Sequence, residues 1–158
     1  MWFEDLTTHS FGGLEIPRVA IGWLSKSKPF TIGETPNIVY EKLCELNKKP
    51  WMDYISMGYH ECEFCPKIDN KHLNPLPETW GNHNLTIPHE GKLYHYPELI
   101  THYIKRHFYL PPEEFCEAVL ACPPMHSIEY YNRMLEFSER RLVSYFDELW
   151  AEKKNLQK

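Results

Sequence analysis

"GYHECEFC", Gly58 to Cys65, places one histidine and two thiols within six residues. Ordinary sequences seldom crowd soft ligands in this way. Cys62-x-x-Cys65 is the spacing of a zinc knuckle, in which two thiolates on a tight turn share one ion. The surroundings favour that reading over a redox pair, since Glu63 and Phe64 lie between the cysteines and no thioredoxin-like strand precedes them.

A tetrahedral site needs two further ligands. Past a 36-residue interval, "HYIKRH" supplies His102 and His107, so the pattern C-x2-C, hairpin, helix, H-x4-H has the ligand types of a two-Cys, two-His site. On a regular helix, residues five apart are turned by about 140° from one another. Convergence of His102 and His107 therefore requires the last helical turn to loosen or tighten, which the nearby Pro111 favours. His60 is a competing ligand: on an extended strand it shares a face with Cys62 and could replace His102 or His107. The expected metal ligands are Cys62, Cys65, His102 and His107, and the expected cofactor is zinc.

The flanking sequence predicts an α+β fold. "RVAIGWL" (Arg18–Leu24) alternates Val19, Ile21 and Trp23 on one side, a strand pattern. A helix follows over 36–49, with Thr35 as N-cap, Pro36 at its first position and Val39, Leu43 and Leu46 on its apolar face; Pro50 ends it. "NLTIPHEGKLYHY" (84–96) reads as a hairpin around its "PHEG" turn. Helices are expected near 97–109 and 112–121, separated by Pro111 and Pro112. The strands should make a small antiparallel sheet.

From Ile128 on, apolar residues recur at spacings of three and four: Tyr131, Leu135, Leu142, Tyr145 and Leu149, with Ser138 in the same stripe. With Ser127 as N-cap this predicts one long helix within 126–154. Its length would be roughly 42 Å, against about 30 Å for the width of a small domain. The expectation is a zinc-binding domain over 1–122 and a helical extension over 123–158, the latter packing on its own domain or forming a seam with a second copy or another protein.

Composition narrows the function classes. The chain has 158 residues, 42% hydrophobic, with a formal net charge of -5. Residues 1–126 carry sixteen acids against eleven bases and residues 127–158 six of each, so no basic stripe points to nucleic acid. No apolar run approaches the roughly 20 residues of a membrane span, and "MWFEDLTTHSFGG" lacks the marks of a signal peptide. Five cysteines, an odd number, fit reduced thiols in a cytoplasmic setting; Cys44, Cys116 and Cys122 read as small core residues.

"FEDLTTHSFGG", "GWL" with a following "KPF", "GYHECEFCP" and "YPELITHYIKRHFYLPPEEF" together resemble a family of small uncharacterised bacterial proteins, a domain of unknown function. The resemblance spans residues 4–120. Its most specific part couples His60, Cys62, Cys65 and Pro66 to Pro97, His102, Tyr103, His107, Tyr109, Pro111 and Pro112. It implies the metal site and no activity.

Four protein ligands close a zinc site and leave no corner for substrate or water. The expected function is therefore a non-catalytic, zinc-stabilised interaction module, an adaptor or a toxin-neutralising protein whose partner is another protein. The alternative is a metal-dependent hydrolase or ββα-type nuclease using the histidine-rich hairpin, with His83, His89 and His95. The acidic body and the absence of a phosphate loop, GxSxG or dinucleotide fingerprint weigh against it.

Overall fold

A computed structural model describes residues 1–10, 16–51, 58–68 and 75–137 of the chain. In chain order the elements are β1 (Thr8–His9), β2 (Arg18–Ala20), α1 (Asn37–Lys48), β3 (His60–Glu61), β4 (Trp80–Gly81), β5 (Asn84–His89), β6 (Lys92–Pro97), α2 (Ile100–His107), α3 (Glu113–Ala121) and α4 (Ile128–Leu135). The fold is α+β. A four-stranded sheet runs β1-β2-β6-β5, and β3 and β4 form a separate ribbon.

The hairpin forms for local reasons. Glu90 and Gly91 both take positive φ, 44° and 75°, the backbone of a two-residue turn whose twist matches its strands. The register then runs from Asn84 opposite Pro97 to His89 opposite Lys92. Leu85, Thr86, Ile87 and Pro88 are all buried, because α3 and α4 pack against β5. Such a strand shows no polar alternation.

The sheet is mixed, not antiparallel as its sequence led us to expect. β1 and β5 pair antiparallel with their neighbours, but β2 lies parallel to β6, with Val19 opposite Tyr94 and Ala20 opposite His95. A short turn forces antiparallel pairing, whereas a long crossover permits either sense. Between β2 and β6 the chain builds α1, the cysteine knuckle and β4 before it returns.

β2 differs from its sequence pattern as well. Val19 and Ile21 face the main core, but Trp23 packs with Ala20 and Phe3 in a second cluster. Gly22 is the cause. At φ 70° it ends the strand and breaks the two-residue period, so that the Trp23 indole Nε1 donates to the His95 carbonyl at 3.0 Å.

α1 buries Val39, Leu43 and Leu46, the face its spacing predicts. Thr35 does not cap it: its hydroxyl donates to the Tyr109 carbonyl at 3.1 Å, while the Val39 and Tyr40 N–H groups reach the Pro36 carbonyl. Ser127 does cap α4, accepting from the Tyr130 N–H at 3.2 Å. The face α4 buries is Tyr130, Tyr131 and Met134, with Ile128 and Leu135 only half-buried. Those three join Leu85, Ile87, Tyr96 and Phe115 in one core cluster. α4 ends at Leu135, and Glu136 and Phe137 lie in a turn; the rest of the expected long helix, with Ser138, Leu142, Tyr145 and Leu149, lies outside the described residues.

A polar network crosses the sheet. Arg18, fully buried, donates through Nη1 to the Thr86 hydroxyl at 2.7 Å, and that hydroxyl lies 3.3 Å from His95 Nδ1. Burial, then the nearby Arg18 charge, holds the His95 pKa well below the usual histidine value. The unfolded chain accepts a proton near pH 6.5 that the folded chain refuses, so stability falls as pH drops below that point. The loss should approach about 1.4 kcal/mol per pH unit for this one histidine. Urea titrations at pH 7.5 and 5.5 check this: His95→Gln should lose less stability between the two than the native chain. Equal losses would remove His95 from the account.

Candidate metal centre

The ribbon and α2 build the centre from opposite sides. His60 pairs with Gly81 and Glu61 with Trp80, and the Cys62 N–H continues the ladder to the Thr79 carbonyl at 2.8 Å. The chain then turns. Backbone N–H groups of Phe64 and Cys65 donate toward the Cys62 sulfur, the arrangement that stabilises charge on a metal-bound thiolate. The turn is anchored from outside by Glu63, whose carboxylate accepts from the Ser25 hydroxyl at 2.8 Å and the Lys26 N–H at 2.9 Å. Phe64 packs against Phe30, Tyr103 and His107.

α2 is fixed against the ribbon at its start. The Glu98 carboxylate accepts from the Asn82 and His83 N–H groups at 3.1 and 3.0 Å. A side-chain carbon at Gly81 would come within 3.1 Å of Leu99 Cγ, so the helix approaches as closely as a glycine permits.

The last turn of α2 is widened. Phe108 is left-handed, at φ 54°, and its N–H reaches the Tyr103 carbonyl five residues back. The Tyr109 N–H reaches the same carbonyl at 3.2 Å. Where bonds span five residues, side chains five apart lie above one another as those four apart do on an α-helix. This is the loosening that H-x4-H requires, and the two rings respond: His102 Nε2 and His107 Nε2 are 3.2 Å apart.

The sulfurs complete a four-atom group. Cys62 Sγ lies 3.3 Å from His107 Nε2, and Cys65 Sγ lies 3.4 Å from both His102 Nε2 and His107 Nε2. All four ligand atoms fall within 4.8 Å of one another, and the group can hold a metal ion. An ion with bonds of about 2.3 Å to sulfur and about 2.0–2.1 Å to nitrogen spaces tetrahedral ligands by about 3.3–3.8 Å. Four of the six separations, at 3.2–3.4 Å, fit that frame closely.

The electrostatics fit as well. Burial lowers the pKa of His102 and of His107, leaving neutral imidazoles with a lone pair to give. Burial pushes the Cys62 thiol up to about 11. A sulfur in that position becomes a thiolate at neutral pH only with a cation beside it, so metal uptake here releases protons.

His60 is not brought into the group. Its Nε2 lies 3.3 Å from the hydroxyl of Tyr103, a fully buried residue of α2. The hairpin histidines go elsewhere: His83 Nδ1 is 3.3 Å from the Glu98 carboxylate and His95 belongs to the Arg18–Thr86 network. All five cysteines are free thiols; Cys122 is buried, and Cys44 and Cys116 are half-buried. Sequence reasoning missed the Glu63 anchor, because its partners lie 37 and 38 residues away in a loop with no pattern of its own.

This geometry defines a small α+β domain with a cysteine–histidine cluster that can take a metal. The chain belongs to a family described as a domain of unknown function, DUF7919, which matches residues 1–120. No curated protein and no solved structure matches it. Among the described residues, no helix is long and apolar enough to cross a membrane.

Proposed function

We propose that Cys62, Cys65, His102 and His107 bind one zinc ion as a closed structural centre in a non-catalytic interaction module. One observation carries this reading: ligand atoms from two segments far apart in sequence meet within 4.8 Å, enough to fill a tetrahedral shell. Two thiolates also transfer charge to the ion and make it a poor Lewis acid, and a filled shell leaves no corner for a reacting water. The ion's work is mechanical, holding the ribbon to α2.

The surface beside the brace supports a protein partner. Gly33 N–H bonds to the Phe108 carbonyl, and Ile32 bridges to Tyr109. Ile32 and Phe108 lie on these two tied segments at 69% and 61% exposure. Exposed apolar side chains on backbone held by hydrogen bonds are the kind of anchor that protein interfaces use. The setting we propose is the bacterial cytoplasm, with an adaptor or toxin-neutralising role; five free thiols are in keeping with a reducing compartment.

Metal analysis of the purified chain should return close to one zinc per molecule. The zinc-loaded chain should show no hydrolysis of nucleic acid, ester or phosphoester substrates. A hydrolytic activity abolished by chelation while the fold persists would replace the structural reading with a catalytic one.

A further inference from the structure

The two cysteines of the centre face each other as well as the histidines. Their side chains are within hydrogen-bond contact, and both are free thiols. Their surroundings differ. Cys62 is buried and receives the Phe64 and Cys65 backbone N–H groups. Cys65 is half-buried and runs straight into the exposed Pro66 and Lys67. A thiolate that solvent can reach is a nucleophile toward oxidants, and a second thiolate on the same C-x-x-C turn is placed to resolve the product.

The knuckle has fastenings besides an ion. Glu63 ties it to Ser25 and Lys26, and the Cys62 N–H donates to the Thr79 carbonyl. The end of α2 is held differently. His107 Nε2 reaches both sulfurs, and Phe108 follows it directly in the left-handed region. The Phe108 carbonyl accepts from the Gly33 N–H at 2.9 Å, and the Leu110 N–H donates to the Thr31 carbonyl at 2.9 Å. One residue therefore joins the cluster to the backbone that carries the exposed Ile32 and Phe108.

We propose that Cys62 and Cys65 form a peroxide-sensitive switch, whose oxidation to a disulfide ejects the metal and loosens the surface carrying Ile32 and Phe108. The inference rests on the zinc reading above and adds its regulation. The Cys65 thiolate attacks one oxygen of hydrogen peroxide, forming S–OH and releasing hydroxide. The Cys62 thiolate then attacks that sulfur, the S–S bond forms and a second hydroxide leaves. The sulfurs give up two electrons, the O–O bond takes them, and solvent protonates both hydroxides to water. The zinc ion, left with two imidazoles, departs as a dication. A dithiol reverses the step by taking over the disulfide, and zinc can then return to a turn that Glu63 has kept in place.

The test uses the full zinc-loaded chain, its metal content measured first, with hydrogen peroxide as the probe. Zinc release is followed with a chromophoric chelator, the sulfur products by mass spectrometry of digests, and amide exchange by NMR. Peroxide at about 1 mM should release one zinc for each Cys62–Cys65 disulfide formed, and dithiothreitol with zinc should reverse it. In the oxidised chain the Gly33 and Leu110 amides should exchange at least about tenfold faster. The Ile21 amide, bonded to the His95 carbonyl of β6 at 3.0 Å, should stay within about twofold. Cys44→Ser, outside the cluster, should behave as the native chain does. Zinc retained through ~10 mM peroxide overturns the switch and leaves the structural centre standing. Release through sulfinic acid, or through a disulfide to another cysteine, does the same. Unchanged exchange at Gly33 and Leu110, or equal acceleration at Ile21, overturns the link to the surface. A chain that takes up no zinc overturns the metal centre and the switch together.

Discussion

Cys62→Ser should cost the protein most of its folding stability. Zinc in sites of this kind contributes on the order of 10 kcal/mol to folding, while a typical domain is stable by roughly 5–15 kcal/mol. Serine keeps the shape of the side chain but is a far weaker zinc ligand, and the ribbon would lose its fastening to α2. Thermal melts followed by circular dichroism, with and without a strong chelator, measure the effect. The native chain with chelator and the variant without it should both melt at least ~20 °C below the zinc-loaded protein. Cys44→Ser, at a half-buried thiol outside the cluster, should stay within about 1 kcal/mol of native. A chelated native chain melting within a few degrees of the untreated one would show that the four ligand atoms meet without a metal to hold.

Gly22→Val should be the next most damaging change, at about 2–5 kcal/mol. Left-handed backbone costs a residue with a side chain about 1–2 kcal/mol. A carbon added at Gly22 would also lie 3.1 and 3.2 Å from two carbons of Ile100, at the first turn of α2, and overpacking of that kind costs about 1–3 kcal/mol. The Gly22 N–H further donates to Asp5 Oδ1 at 2.8 Å, and Asp5 Oδ2 accepts from the Tyr109 hydroxyl at 2.7 Å, so one small residue positions both ends of α2. Urea denaturation reads the loss. A cost under about 0.5 kcal/mol would mean that the start of α2 yields easily, and that the metal centre does not depend on its placement.

Much of the site was legible because ligand chemistry is local in its residue types. Two thiols on a knuckle and two imidazoles on one helix announce themselves by spacing, and the need for a loosened helical turn follows from helix geometry alone. The choice between His60 and the helical pair was not legible. It depends on the Tyr103 hydroxyl, which meets His60 Nε2 across 43 residues of chain. The Glu63 anchor and the closeness of Gly81 to Leu99 were hidden in the same way.

By itself the sequence determined the short-range features: the apolar face of α1, the Ser127 cap of α4, the hairpin turned by Glu90 and Gly91, and the breaks at Pro111 and Pro112. Each depends on backbone preferences and on side chains a few residues apart. Only the tertiary structure decided that β2 lies parallel to β6, that Trp23 leaves the face of Val19 and Ile21, that Thr35 bonds to Tyr109 instead of capping α1, and that Arg18 is buried in the sheet. Those outcomes are settled by which distant surfaces exclude water together, and residues near one another in the chain carry no record of it.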